Sequence, residues 1–304
     1  MSGPLGAAAR KTLAARKPPW IRTAPPSGEG WRRVSEVLGK YRLATVCDSA
    51  RCPNKAECWG ERTATFMTLG RTCTRACRFC AVDHGRAGES LAPDEPERMA
   101  RAVSELGIEY AVITSVDRDD LPDRGAAHFA ACARAVKEAN PGCRVELLIP
   151  DYREGEIEVV LDALPDVVAH NVETVERLQG FRDARASYGA SLRTISLVAD
   201  HGGGPMPKSS LLLGLGESRD EVLRTMDDLR RSGCEALVLG QYLRPSAAQV
   251  EVVEYVAPES FDRYAEDARA RGFSLVVSAP LARTSFHARR GFETAERGDA
   301  RTAP

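Results

Sequence analysis

From about Thr65 onward, short apolar runs rich in β-branched residues alternate with segments of helical period, and this alternation narrows the fold more than any other feature. Strands are expected at 65–69, 110–115, 144–149, 167–170, 210–215, 236–241 and 274–278. Amphipathic stretches lie between them, at 96–106, 126–139, 217–232 and 258–271. Acidic residues open several of these, and Asn140-Pro141, Gly233 and Gly272 close them, which is ordinary helix punctuation. Repeated strand–helix units imply a parallel sheet with right-handed crossovers. Six or seven units within 304 residues predict an α/β fold, a partial (β/α)6-type TIM barrel over residues 64–273. Residues 1–28 read as a basic arm, 29–63 as an N-terminal extension and 274–304 as a C-terminal extension.

A net charge of −1 gives no reason to expect nucleic acid or an anionic membrane as partner. No apolar run approaches the roughly 20 residues of a spanning helix, and nothing resembles a secretory signal. The arm carries Arg10, Lys11, Arg16, Lys17 and Arg22 with no acid before Glu29. An organellar transit peptide has that composition. The preferred reading is a basic arm of a bacterial, cytoplasmic protein, because Lys17–Arg22 already looks like mature chain; an organellar matrix is the alternative. Nine cysteines, an odd number with six between Cys47 and Cys80, argue for metal in a reducing compartment rather than a disulfide framework.

Polar groups follow nearly every expected strand. They are Asp117 and Arg118, then Asp151, then His170, Asn171 and Glu173, then Glu217, then Gln241 and Arg244, and last Arg283, Ser285 and His287. Strand C-termini of an α/β barrel share one face, so these residues should ring one mouth.

The cysteines carry the chemistry. Cys73, Cys77 and Cys80 form a C-x3-C-x2-C loop after a strand. Three such thiolates can hold three corners of a [4Fe–4S] cube, leaving one iron for a small chelating molecule. A structural zinc site, with His84 as fourth ligand, is the bland alternative; zinc sites favour paired C-x2-C spacings. Cys47, Cys52 and Cys58 make a second trio, C-x4-C-x5-C, suited to zinc or to a cluster with one further ligand. Cys132, Cys143 and Cys234 read as small buried hydrophobes.

With both trios in place the chain resembles the lipoyl synthases, a family of radical S-adenosylmethionine (SAM) enzymes. The resemblance runs from about Lys17 to Arg290. It includes Lys17-Pro-Pro-Trp-Ile-Arg22, Asp117-Arg-Asp-Asp-Leu-Pro122 and Glu146-Leu-Leu-Ile-Pro-Asp151, then His170-Asn-Val-Glu-Thr174 and Leu213-Gly-Leu-Gly-Glu217. It ends with Gln241-Tyr-Leu-Arg-Pro-Ser246 and Arg283-Thr-Ser-Phe-His-Ala288. It implies a partial barrel of the radical SAM kind and two [4Fe–4S] clusters. One, on Cys73, Cys77 and Cys80, would bind SAM, with Phe79 in the family's aromatic position. The other, auxiliary, would sit on Cys47, Cys52, Cys58 and Ser285. The family motif R-S-S-Y-x-A is altered here at Thr284 and Phe286, and the phenylalanine loses a hydroxyl.

The resemblance further implies sulfur insertion at C6 and C8 of an octanoyl-lysine on a lipoyl-carrier protein, the auxiliary cluster being consumed as donor. An electron donor of flavodoxin or ferredoxin type and an iron–sulfur carrier would serve it. Asp117, Arg118, Asn171, Glu173, Gln241 and Arg244 are the rim candidates for holding SAM; Asn and Glu suit ribose hydroxyls, and Arg suits a carboxylate. Two other readings are a different radical SAM sulfurtransferase, biotin synthase-like or methylthiotransferase-like, and a non-enzymatic zinc or electron-transfer protein.

Overall fold

A computed structural model describes residues 17–23, 25–201 and 204–296. Most of the basic arm, Gly202-Gly203 of the glycine-rich connector and residues 297–304 lie outside the described residues.

All seven expected strands form and lie side by side in chain order. They are β2 (Thr65–Thr68), β3 (Tyr110–Ser115), β4 (Arg144–Leu148), β5 (Val167–Ala169), β6 (Met206–Leu213), β7 (Ala236–Gln241) and β8 (Leu275–Ala279), every neighbouring pair parallel. A two-residue β1 (Ala44–Thr45) adds antiparallel to β2. Among the described residues no pairing joins β8 back to β1, so the sheet is a partial barrel. The segment set apart from residue 274 therefore begins with the last strand of the sheet.

The helices are α1 (Gly28–Lys40), α2 (Val46–Ser49), α3 (Lys55–Gly60), α4 (Glu95–Leu106), α5 (Ala126–Ala139), α6 (Glu154–Leu161), α7 (Tyr188–Asp200), α8 (Arg219–Arg231), α9 (Pro258–Ala270) and α10 (Ala288–Glu296). The punctuation read from sequence operates as expected. Gly107 ends α4 in the left-handed conformation, and Ser218 with Glu221 closes a capping box on α8. No described helix is long and apolar enough to cross a membrane.

β6 starts four residues earlier than its sequence suggests, because Lys208 is not a loop residue. Its ammonium is buried inside the barrel, 2.8 and 3.0 Å from the carboxylate oxygens of Glu146 on β4. Tyr110 on β3 donates its hydroxyl to the same carboxylate at 2.6 Å. The paired charges satisfy one another, which a buried lysine requires. Below them α10 closes the barrel's N-terminal end, Ala288 and Phe292 packing with Tyr110, Val112 and Val167.

The open side is closed by the two chain extensions together. Asn54 donates its side-chain amide to Leu281 O at 2.6 Å, and the hydroxyls of Thr65 and Ser285 are 2.8 Å apart. Gly240 on β7 makes this approach possible: a Cβ there would lie 2.1 Å from Ala282 O. Gly240→Ala should therefore lift the 280–285 turn off the sheet and cost about 1–3 kcal/mol, read as a lower urea midpoint than wild type; an unchanged midpoint would show that the turn yields freely.

Candidate active site

The C-terminal ends of β2–β5 open into a cavity of about 200 Å³ lined by Cys73, Cys77 and Cys80. A second cavity of about 210 Å³, lined by Cys52, Arg283, Thr284 and Ser285, adjoins it. Val46, Phe79, Cys80, Leu148, Asn171 and Glu173 line both, so the two form one chamber, reached by all three cysteines of the first trio and by Cys52 of the second. Ser285 also lines an outer cavity together with Cys58.

All nine cysteines are free thiols. Burial pushes the Cys73 and Cys77 thiols up to about 12 and the Cys80 thiol to about 11. Burial likewise raises Cys47, Cys52 and Cys58. Such thiols are poor nucleophiles at neutral pH, because the thiolate is the reactive form. A metal that displaces their protons is the better match to this donor set. Single zinc ions fit poorly, because tetrahedral Zn–S bonds need sulfurs about 3.8 Å apart. Among the described residues only Glu95, His128 and Cys132 bring three ligating atoms within 4.8 Å of one another; neither trio does. A cube, which spreads its ligands around four irons, suits the wider spacing.

The first trio's loop is built into the barrel by a buried network that the sequence did not announce. Arg75, between Cys73 and Cys77, is 5% exposed; its Nε and Nη2 donate to Asp119 at 2.7 and 2.9 Å and its Nη1 to Asp151 at 2.8 Å. This pairing holds the Asp119 carboxyl down to about 2. Asp151 also accepts from Arg182 at 2.9 Å and lies 3.3 Å from His170 Nε2. Backbone N–H groups of Arg75 and Asp183 point at the Cys73 and Cys77 sulfurs, at 3.4 and 3.3 Å. Asp117, at the cavity wall, is pushed up to about 6 by burial and by Asp151.

The rim candidates divide. Phe79, Asp117, Asn171 and Glu173 face the chamber. Asn171 donates to Glu173 at 3.1 Å, and Glu173 is held at a φ of 65°, a strained backbone for a non-glycine residue and a mark of functional sites. Arg118, Gln241 and Arg244 are absent from the lining of both cavities. Arg118 is forked onto Asp120 and donates to Leu69 O. Gln241 spends its whole amide on the backbone, donating to Leu213, Tyr242 and Glu254 and accepting from Val256. Arg244 donates to Gln249 O and Ala247 O. Strand-end position marked all three, but position alone does not tell a ligand-facing group from one that ties down a turn. Asp151, His170 and Arg182 take places on the wall instead, together with Arg75.

The altered C-terminal motif keeps its anchoring. Thr284 Oγ1 lies 3.0 Å from Ser210 Oγ and 3.2 Å from Asn171 Oδ1, so a hydroxyl still ties the turn to the barrel. Phe286 stacks on His287 with centroids 3.9 Å apart, and His287 Nε2 reaches Glu57 of α3 at 3.4 Å.

Arg75→Gln should remove the fork that ties Asp119 to Asp151, leaving them to Arg185 and Arg182, and cost about 1–3 kcal/mol. Urea unfolding of protein isolated anaerobically measures it; a midpoint equal to wild type would mean the network is not under load.

Comparison with known proteins agrees with this geometry. The Radical SAM superfamily profile matches residues 67–229. The chain is 52% identical over 278 residues to a lipoyl synthase of Methanocella arvoryzae, covering 90% of this chain and 93% of that one. It is 49% identical to a lipoyl synthase of Anaeromyxobacter dehalogenans, covering 96% and 100%. Methylornithine synthase has a similar fold, with a TM-score of 0.56 at 12% identity over 82% of this chain and 71% of that one. So does a maturase of the [FeFe]-hydrogenase, with a TM-score of 0.54 at 14% identity over 81% and 62%. Matched along nearly its whole length at about half identity, the chain belongs to the lipoyl synthase family of radical SAM enzymes.

Proposed function

We propose that the enzyme inserts sulfur at C6 and C8 of an octanoyl-lysine borne on a lipoyl-carrier protein, in the cytoplasm. Cys73, Cys77 and Cys80 would hold the [4Fe–4S] cluster that binds SAM. Cys47, Cys52, Cys58 and Ser285 would hold the second, which is sacrificed as sulfur source. The observation that carries the reading is the single chamber lined by Cys73, Cys77 and Cys80 in one part and by Cys52 and Ser285 in the other, with Phe79, Asn171 and Glu173 shared between them. When bound, SAM and the clusters supply the one-electron hydrogen abstraction and the sulfide.

The chain's own residues position the reactants and exclude water. Val46, Phe79, Leu148 and Val238 give the chamber apolar walls for an alkyl chain. Asn171 and Glu173 offer a donor and an acceptor to ribose hydroxyls, and Arg182 carries positive charge to the same wall for a carboxylate. Arg283 lies near both Cys52 and Glu173, so its guanidinium offsets the negative charge of thiolates gathered at the second trio. An oxygen ligand at Ser285 binds iron less firmly than thiolate does, which leaves one corner of that cluster easier to give up. A flavodoxin- or ferredoxin-type donor and an iron–sulfur carrier complete the proposed partners.

Reconstituted enzyme supplied with SAM, a reductant and an octanoylated carrier peptide should release deoxyadenosine and a dithiolated peptide. Deoxyadenosine without thiolated product would reject the reading. A variant with Cys47, Cys52 and Cys58 all changed to Ala should fall from about eight irons per chain to about four, keep SAM cleavage and lose sulfur insertion.

A further inference from the structure

Outside the chamber, three potential ligands converge where the start of α4 meets the first two turns of α5. His128 Nε2 lies 2.8 Å from Glu95 Oε2, and these atoms and the Cys132 sulfur all fall within 4.8 Å of one another. Glu95 opens α4, while His128 and Cys132 stand one turn apart on the same face of α5. Cys132 is fully buried, and the Glu95 and His128 side chains keep 12% and 13% exposure, so one side of the triangle meets solvent.

We propose that Glu95, His128 and Cys132 bind one zinc ion, with water in the fourth position. The ligand set is a carboxylate, an imidazole and a thiolate, each a recognised partner of zinc. Its charges sum to zero with Zn²⁺ when the thiol is ionised and the imidazole neutral, so the complex can be buried without stranding a net charge. Without metal, burial and the Glu95 carboxylate push the Cys132 thiol up and keep it protonated, so binding releases that proton to solvent. Tetrahedral zinc sets sulfur and nitrogen about 3.5 Å apart, which asks little movement of atoms already this close. The ion would join α4 to α5, and through Glu95 Oε2, 3.4 Å from the Leu69 N–H, would bear on the end of β2 that leads into the cysteine loop.

The test uses anaerobically isolated, cluster-replete enzyme, in which iron already occupies the six clustered cysteines. After equilibrium dialysis against zinc, the expected result is one zinc per chain. Its zinc-edge X-ray absorption should show one sulfur at about 2.3 Å and lighter ligands at about 2.0 Å. Cys132→Ala and His128→Gln should each lose that equivalent with iron content unchanged. No zinc beyond what Cys132→Ala retains, or a spectrum without sulfur or with several sulfurs, would overturn the site and leave Glu95–His128 a plain hydrogen bond between helices. Iron content and thiolated product, measured on the same samples, report on the sulfur-insertion reading separately.

Discussion

A parallel sheet that stops short of closing leaves a seam, and what fills that seam decides whether the chamber exists. Here the filling includes contacts between distant parts of the chain, Asn54 with Leu281, Thr65 with Ser285 and Glu57 with His287. Each bond alone contributes about 1 kcal/mol. Together they fix the turn that carries Arg283, Thr284 and Ser285 against the helices that carry the upstream cysteines. Thr284 fixes the same turn to Ser210 and Asn171 on the barrel side. The site at the seam is thus a three-way junction.

The opposite end of the chamber is held by charge. Arg75 sits inside the cysteine loop, and its guanidinium reaches two carboxylates from two different strand ends. Arg182 brings a second cation to Asp151 from the far side. A buried ion pair adds little net stability by itself, since desolvation offsets attraction. What it does here is fix direction: a forked donor on fixed acceptors leaves the loop one orientation. The N–H groups aimed at Cys73 and Cys77 depend on that orientation.

The sheet was legible because buried parallel strands are written as short apolar runs, and all seven appear where the pattern puts them. Lys208 broke the pattern at β6, since its partner Glu146 is 62 positions away and no local signal links them. Both cysteine trios were legible from spacing, but the contacts that bring their surroundings together were not, because Asn54 finds Leu281 at a separation of 227 positions. Asn171 and Glu173 were found from strand-end position, while Gln241 and Arg244 satisfied the same rule and serve the backbone. Arg75 carried a faint signal, a long charged side chain confined between two cysteines. Arg182 carried none, for it follows a short 3-10 helix (Glu176–Phe181) rather than a strand.

The 220 positions between Thr65 and Ser285 have a consequence during synthesis. At roughly 5–20 residues per second, the ribosome extrudes Thr65 and the cysteines just upstream of it some 10–45 s before Ser285. Throughout that interval three thiols stand in a nascent chain whose seam is unsealed, able to capture stray metal. The cluster proposed for that trio would then call for delivery after release, or for a holder that shields the cysteines until the last turn docks.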